Sequence, residues 1–249
     1  LFKNNGDETF SDVTASTNIQ AVGNFASFTP IPFDFNDDGF MDLYVANDLN
    51  KRNDLFINNG TTFSNQASGY GLDSMADDMG VTMGDYDNDG LFDIFITAIN
   101  ENFLFTNNGG GTFTDLSIAN SVNNTFWSWG ARFADFDLDG FLDLVVANGY
   151  DFGVNSAEPN FYFRNRRGEG INKFLDISVQ LGLNEIGTSV EVNDFDYDND
   201  GDPDLMITNS DREIFFYENK LLNFDDVSPA YNWFKLHLEG TVSNRDAIG

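Results

Sequence analysis

The segment DYDNDGLFDIFITA, residues 85–98, decides the fold. Three relatives of it stand elsewhere in the chain: DFNDDGFMD from Asp34, DFDLDGFLD from Asp135 and DYDNDGDPD from Asp196, with starts 51, 50 and 61 residues apart. Each runs straight into an apolar stretch, LYVAN from Leu43, IFITA from Ile94, LVVAN from Leu144 and LMITN from Leu205. An aromatic segment closing on an Asn/Gly turn follows: NDLFINNG from Asn53, NFLFTNNG from Asn102 and NFYFRNRRG from Asn160. LFKNNG at Leu1 matches it, and EIFFYENK from Glu213 is a weaker copy. A short segment with a fixed Phe comes next, at Phe10, Phe63, Phe113, Phe174 and Phe224.

Each repeat therefore reads as four strands. The first leads into the acidic loop, the second is the apolar run, and the third and fourth flank a tight hairpin turn. The second strand is apolar at consecutive positions, which suits a strand covered on both faces. A four-stranded unit of this kind cannot bury itself alone, but radial stacking against its neighbours buries both faces. The fold expected is all-β, a β-propeller or a partial propeller arc of four-stranded antiparallel blades. Helical signal is nearly absent, and a β-solenoid competes poorly because its repeats are shorter. A half blade at 1–14 precedes blades at about 24–68, 77–118, 127–178 and 187–228, so that the propeller spans 1–230. The start at Leu1 and the stop at Gly249, inside a patterned stretch, read as a processed chain or a fragment.

The pattern D-x-D-x-D-G-x-x-D carries the chemistry. Positions 1, 3 and 5 bring side-chain oxygens to one centre, Gly at position 6 allows the reversal, position 7 offers a main-chain oxygen and position 9 returns a carboxylate. Hard oxygen donors without His or Cys select Ca²⁺, at about four sites. The side-chain ligands expected are Asp34, Asn36, Asp38 and Asp42; Asp85, Asp87, Asp89 and Asp93; Asp135, Asp137, Asp139 and Asp143; and Asp196, Asp198, Asp200 and Asp204. Phe40, Leu91, Phe141 and Asp202 would give main-chain oxygen. An EF-hand is excluded, because position 12 falls on Val45, Ile96, Val146 and Ile207 inside the apolar runs. Asp, Asn and Gly also make plain turns. A turn needs one or two such residues, though, and without a cation so many carboxylates would repel one another.

Composition agrees. The chain has 249 residues, 12 Lys and Arg against 41 Asp and Glu, a net charge of −29, 27 Phe, no Cys and one His. Such a charge repels nucleic-acid backbones and anionic membrane surfaces. No apolar run approaches a membrane-spanning length of about 18 residues. Without Cys there is no disulfide or thiol chemistry, and one His makes His-rich zinc sites and most Ser-His-Asp sites hard to build. His237 sits in the alternating run WFKLHLEG and reads as a strand residue. No G-x-S-x-G elbow, phosphate-binding Gly loop or H-E-x-x-H occurs.

These repeats resemble the FG-GAP/VCBS class, the calcium-loop blades of integrin α-chain propellers and of many secreted bacterial proteins. MGVTMGDYDNDGLFDIFIT from Met79 and WGARFADFDLDGFLDLVVAN from Trp129 carry the likeness. NWFKLHLEGTVSNRDAIG, within 231–249, resembles the start of the ASPIC/UnbV domain that follows such propellers in the cartilage acidic protein family and its bacterial relatives. The resemblance implies a ring of about seven blades; four and a leading half are visible here.

In an up-down blade the acidic loops and Asn/Gly turns share one rim. The opposite rim carries the variable loops, Asn47–Asn53, Trp127 with Trp129, and Gly149–Pro159, and is the expected partner-binding side. Blade packing is the competing role for Trp127 and Trp129. Arg164, Arg166 and Arg167 read as a turn that balances local acid. Asn59 (N-G-T) and Asn123 (N-N-T) fit the N-glycosylation pattern. The function expected is a secreted or cell-surface calcium-binding module for binding, adhesion or extracellular assembly, with no catalytic residues. Its partners would be a protein or carbohydrate ligand, or copies of itself. The alternative is a propeller enzyme or accessory domain acting on extracellular polysaccharide.

Overall fold

The apolar runs become strands because each serves two interfaces at once. The structure, a computed structural model, describes residues 1–19, 26–150, 158–166, 173–210 and 212–220. The strands Asp93–Ala98 and Asp143–Asn148 are buried at all six positions. Successive side chains of a strand point to opposite faces. Ile94 and Ile96 thus pack with Phe35, Tyr44 and Leu55 of the preceding blade, while Phe95 packs with Phe133 and Leu144 of the following one. Leu144 and Val146 face back in the same way, and Val145 and Ala147 face forward onto Val192, Leu205 and Ile207. Among the described residues there is no single core; three apolar clusters are each shared by two neighbouring sheets.

Three sheets have four antiparallel strands in the order one-two-three-four. They are Ser27–Phe33, Asp42–Asn47, Asp54–Asn58 and Phe63–Asn65; then Asp78–Gly84, Asp93–Ala98, Phe103–Asn107 and Phe113–Asp115; then Ser128–Ala134, Asp143–Asn148, Phe161–Asn165 and Phe174–Asp176. The fourth has Ser189–Phe195, Asp204–Asn209 and Phe215–Tyr217. Phe224, expected in its fourth strand, and 221–249, with the ASPIC/UnbV-like segment and His237, lie outside the described residues. Ahead of the blades, Phe2–Asn4 and Phe10–Asp12 pair as a hairpin. The architecture is an all-β propeller arc.

First strands of neighbouring blades run side by side. At Gly80 a Cβ would stand 2.2 Å from the Trp129 carbonyl oxygen, and at Gly130 one would stand 2.8 Å from the Glu191 Cα. In two blades the fixed Phe of the fourth strand reaches into the blade before it: Phe113 meets Phe35 at 6.3 Å between ring centroids, and Phe174 meets Tyr86 at 5.5 Å. Between the third and fourth blades, the described residues leave a groove of about 550 Å³ lined by Phe136, Tyr162, Ile177, Leu183, Leu205 and Tyr217.

The rim opposite the acidic loops carries a repeated tie. Lys51–Arg52 pairs with Met75–Ala76, Ile99 bridges to Trp127, and Glu158–Pro159 pairs with Ile186–Gly187. Two four-residue helices, Ala67–Tyr70 and Ser178–Leu181, follow fourth strands, each closed by a left-handed glycine, Gly71 or Gly182. One helical turn is too short to show a 3.6-residue period in sequence, and neither was expected.

Candidate metal centre

Each acidic loop hangs between strands one and two, so its geometry is set by the rigid pair that holds it. Gly39, Gly90, Gly140 and Gly201 at position 6 have φ of 87°, 91°, 89° and 100°, a region open to glycine. Position 1 wraps the loop. Asp34, Asp85 and Asp135 each accept the backbone N–H groups of positions 5 and 6 at 2.8 to 3.1 Å, and Asp196 accepts that of Asp200 at 3.1 Å. Position 5 accepts the N–H of position 7, that of Phe40 on Asp38, Leu91 on Asp89, Phe141 on Asp139 and Asp202 on Asp200.

Three loops bring three carboxylates together, with ligand atoms within 4.8 Å of one another. The trios are Asp85, Asp87 and Asp93; Asp135, Asp137 and Asp139; and Asp196, Asp198 and Asp204. Asp89, Asp143 and Asp200 stand outside these trios. In the first loop the described residues form no such trio; there the Asn36 amide donates to Asp38 Oδ2 at 3.0 Å.

Position 9 does more than the sequence suggested. Asp42, Asp93, Asp143 and Asp204 are buried, and each accepts the backbone N–H of an asparagine at the end of strand three or just after it: Asn58, Asn107, Asn165 and Asn219, at 2.7 to 2.8 Å. The amides of these asparagines donate back to the carbonyl before position 9, at Met41, Phe92, Leu142 and Pro203. Asn165 and Asn219 also reach the preceding blade, at the carbonyls of Tyr86 and Phe136. The asparagines were read as turn residues only. Their recurrence at one place in all four repeats was the available signal.

The electrostatics favour a bound cation. Burial pushes Asp93 and Asp143 up to about 7, against the hydrogen bonds they accept, so crowded carboxylate is costly here without a counter-charge. Asp42 is raised for the same reason. Asp87 Oδ1 and Asp137 Oδ1 are buried oxygens without a hydrogen-bond partner. Orphaned oxygens inside clusters of hard donors fit a calcium-sized ion. Their other oxygens meet cations: Lys173 Nζ lies 2.7 Å from Asp87 Oδ2, and Arg164 Nη2 lies 2.7 Å from Asp137 Oδ2. Arg164 thus balances local acid, while Arg167 lies outside the described residues.

On the opposite rim, rings gather. Trp127 stacks on Tyr150 at 3.9 Å and on Trp129 at 6.4 Å, and Phe28 meets Trp129 edge-on at 6.2 Å. Trp129 Nε1 donates to the Gly149 carbonyl at 2.6 Å. Asn59 sits exposed in its turn, its side-chain oxygen accepting from Thr61 and Thr62. Asn123 is half-buried, and the Thr125 of its sequon is fully buried and hydrogen-bonded to Asn102.

Residues 34–96 and again 85–146 match the family model described as an FG-GAP-like repeat. Cartilage acidic protein 1 of Xenopus tropicalis is 31% identical over 150 residues, which is 59% of this chain and 22% of that protein. The match thus spans under a quarter of that relative's length. A solved structure concerning specific recognition of non-reducing terminal N-acetylglucosamine by an Agrocybe aegerita lectin aligns over 76% of this chain and 52% of that one, with 18% identity and a TM-score of 0.38. That likeness is too distant to bear on this chain. Among the described residues no helix is long and apolar enough to cross a membrane.

Proposed function

Because this chain carries FG-GAP-like repeats, we propose that it is an extracellular, non-catalytic binding module whose blades are held by structural Ca²⁺. The observation that carries the reading is the convergence of three carboxylate trios in equivalent loops, two of them with a buried, unpartnered oxygen. The residues that would hold the ion are those of positions 1, 3, 5 and 9, with main-chain oxygen from position 7. Bound there, calcium would offset part of the loop's negative charge and hold strand one against strand two. The first loop, with Asn36 in place of an Asp and no trio, would bind most weakly. Extracellular calcium modules work at about 10⁻⁴–10⁻³ M, a range that suits a protein outside the cell.

Calorimetry and thermal melting in calcium and in chelator test this reading. An ion that binds only the folded state stabilises it by about 2.7 kcal/mol per site at a hundredfold excess over Kd. A clear rise in melting temperature with saturable heat is expected. Absence of both sinks the calcium assignment.

For the partner, we propose the rim opposite the metal loops. Rigid aromatic surface is suited to protein or carbohydrate recognition, and the stack of Trp127, Trp129 and Tyr150 supports this. Screening against sugars, proteins and the chain itself should yield a ligand lost in Trp127→Ala, with the melting temperature kept within a few degrees. Binding that survives Trp127→Ala moves the site elsewhere.

A further inference from the structure

The third position of the loop differs among the four repeats in a way that separates them. It is Asn36 in the first, Asp87 in the second, Asp137 in the third and Asp198 in the fourth. Two of these acids arrive with a cation attached. Lys173 stands just ahead of the third blade's strand Phe174–Asp176 and reaches back across the interface to Asp87 of the second blade. Its ammonium also lies 4.8 Å from the centre of the Tyr86 ring, and its backbone N–H is held by Asn120 Oδ1 at 3.1 Å. Arg164, in the third blade's strand Phe161–Asn165, places both Nη2 and Nε on Asp137 Oδ2, at 2.7 and 2.8 Å. In both pairs the cation takes Oδ2 and leaves Oδ1 buried and unpartnered. In the fourth loop the neighbouring cation is Lys220, which pairs with Glu218 and lies within electrostatic reach of Asp198.

We propose that Lys173 and Arg164 are built-in counter-ions, each of which weakens calcium binding in the loop it reaches, the second and the third. The proposal rests on the calcium reading above. A fixed positive charge beside a ligand oxygen lowers the ligand charge that the ion meets and repels it directly. The same charge steadies the loop when calcium is absent, because the acids no longer face one another unbalanced. Lys173, with 34% of its side chain exposed against 49% for Arg164, is less screened by water and exerts the larger effect. The pair between Lys173 and Asp87 also spans two blades.

The test is a calcium titration of the full chain by calorimetry, with melting temperatures in chelator, for the parent, Lys173→Met, Arg164→Met and Lys173→Arg. Methionine keeps the apolar stem and removes the charge. Lys173→Met should tighten one site by roughly five- to thirtyfold, yet melt lower than the parent in chelator. Arg164→Met should do the same more mildly, and Lys173→Arg should resemble the parent. This opposite movement of affinity and apo stability is not what loss of a merely structural contact would give. Weaker or unchanged calcium binding in Lys173→Met and in Arg164→Met, with the parent binding normally, overturns the counter-ion role alone. A parent without calcium heat overturns the calcium reading and the proposal with it.

Discussion

At the residue scale, a carboxylate in this chain is defined by what surrounds it. Asp78 opens the first strand of the second blade, away from the acidic loops, and is fully buried. Burial pushes it up to about 7, partly offset by hydrogen bonds from Asn53 and Ser74, with the charges of Asp77 and Glu101 adding to the rise. A carboxyl that titrates higher in the folded chain than in the unfolded one binds its proton more tightly when folded. Its cost to stability is therefore absent below about pH 4, grows as pH rises to about 7 and is constant above that. Three units correspond to at most about 4 kcal/mol. The unfolding free energy of Asp78→Asn minus that of the parent, measured in saturating calcium, should climb between pH 4 and 7. A difference flat across that window would show that Asp78 titrates normally. The Oδ1 of Asp78 has no partner, so the amide adds an offset but no slope.

At the element scale, the strands were legible and their partners only partly so. Strand two announced itself because two apolar faces leave no polar position to interrupt the run, as in Ile94, Phe95 and Ile96. The acidic loops were legible because few chemistries want acids at that spacing. What sequence did not disclose is how the loop is tied to strand three. Asn107 reads as a turn former in NNG, yet its backbone N–H is held by Asp93 and its side chain by the Phe92 carbonyl. Turn propensity and long-range clamping use the same side chain, so local reading sees only the first. The ties on the far rim were hidden for a similar reason. Two-residue ribbons such as Lys51–Arg52 with Met75–Ala76 carry no period of their own.

At the scale of the whole molecule, stability is distributed over interfaces between blades, as expected of a repeat architecture. The aromatic at position 2 of each loop measures this. Phe35, Tyr86 and Phe136 are 7%, 0% and 6% exposed, whereas Tyr197 on the fourth blade is 50% exposed, beside Phe195 and Phe216. Tyr86→Ala should cost about 3–5 kcal/mol in denaturant unfolding, since it empties a site packed by Phe133 and Phe174. Tyr197→Ala should cost under about 1 kcal/mol. Equal losses would mean that the fourth blade's outer face is covered in solution. The leading hairpin shows the same contrast, with Phe10 64% exposed where Phe113 and Phe174 are buried.

The sequence by itself determined the repeat, the four-strand unit and the acidic, oxygen-rich character of the loops. These depend on periods and spacings within about fifty residues, which a chain displays in its own order. The tertiary structure decided which blade each side chain serves. It showed that Lys173 answers Asp87 across 86 positions, that Asn165 ties the third blade to the second, and that the loops are not equivalent. Such pairings arise when distant segments are stacked, and no local pattern records the angle at which one sheet meets the next.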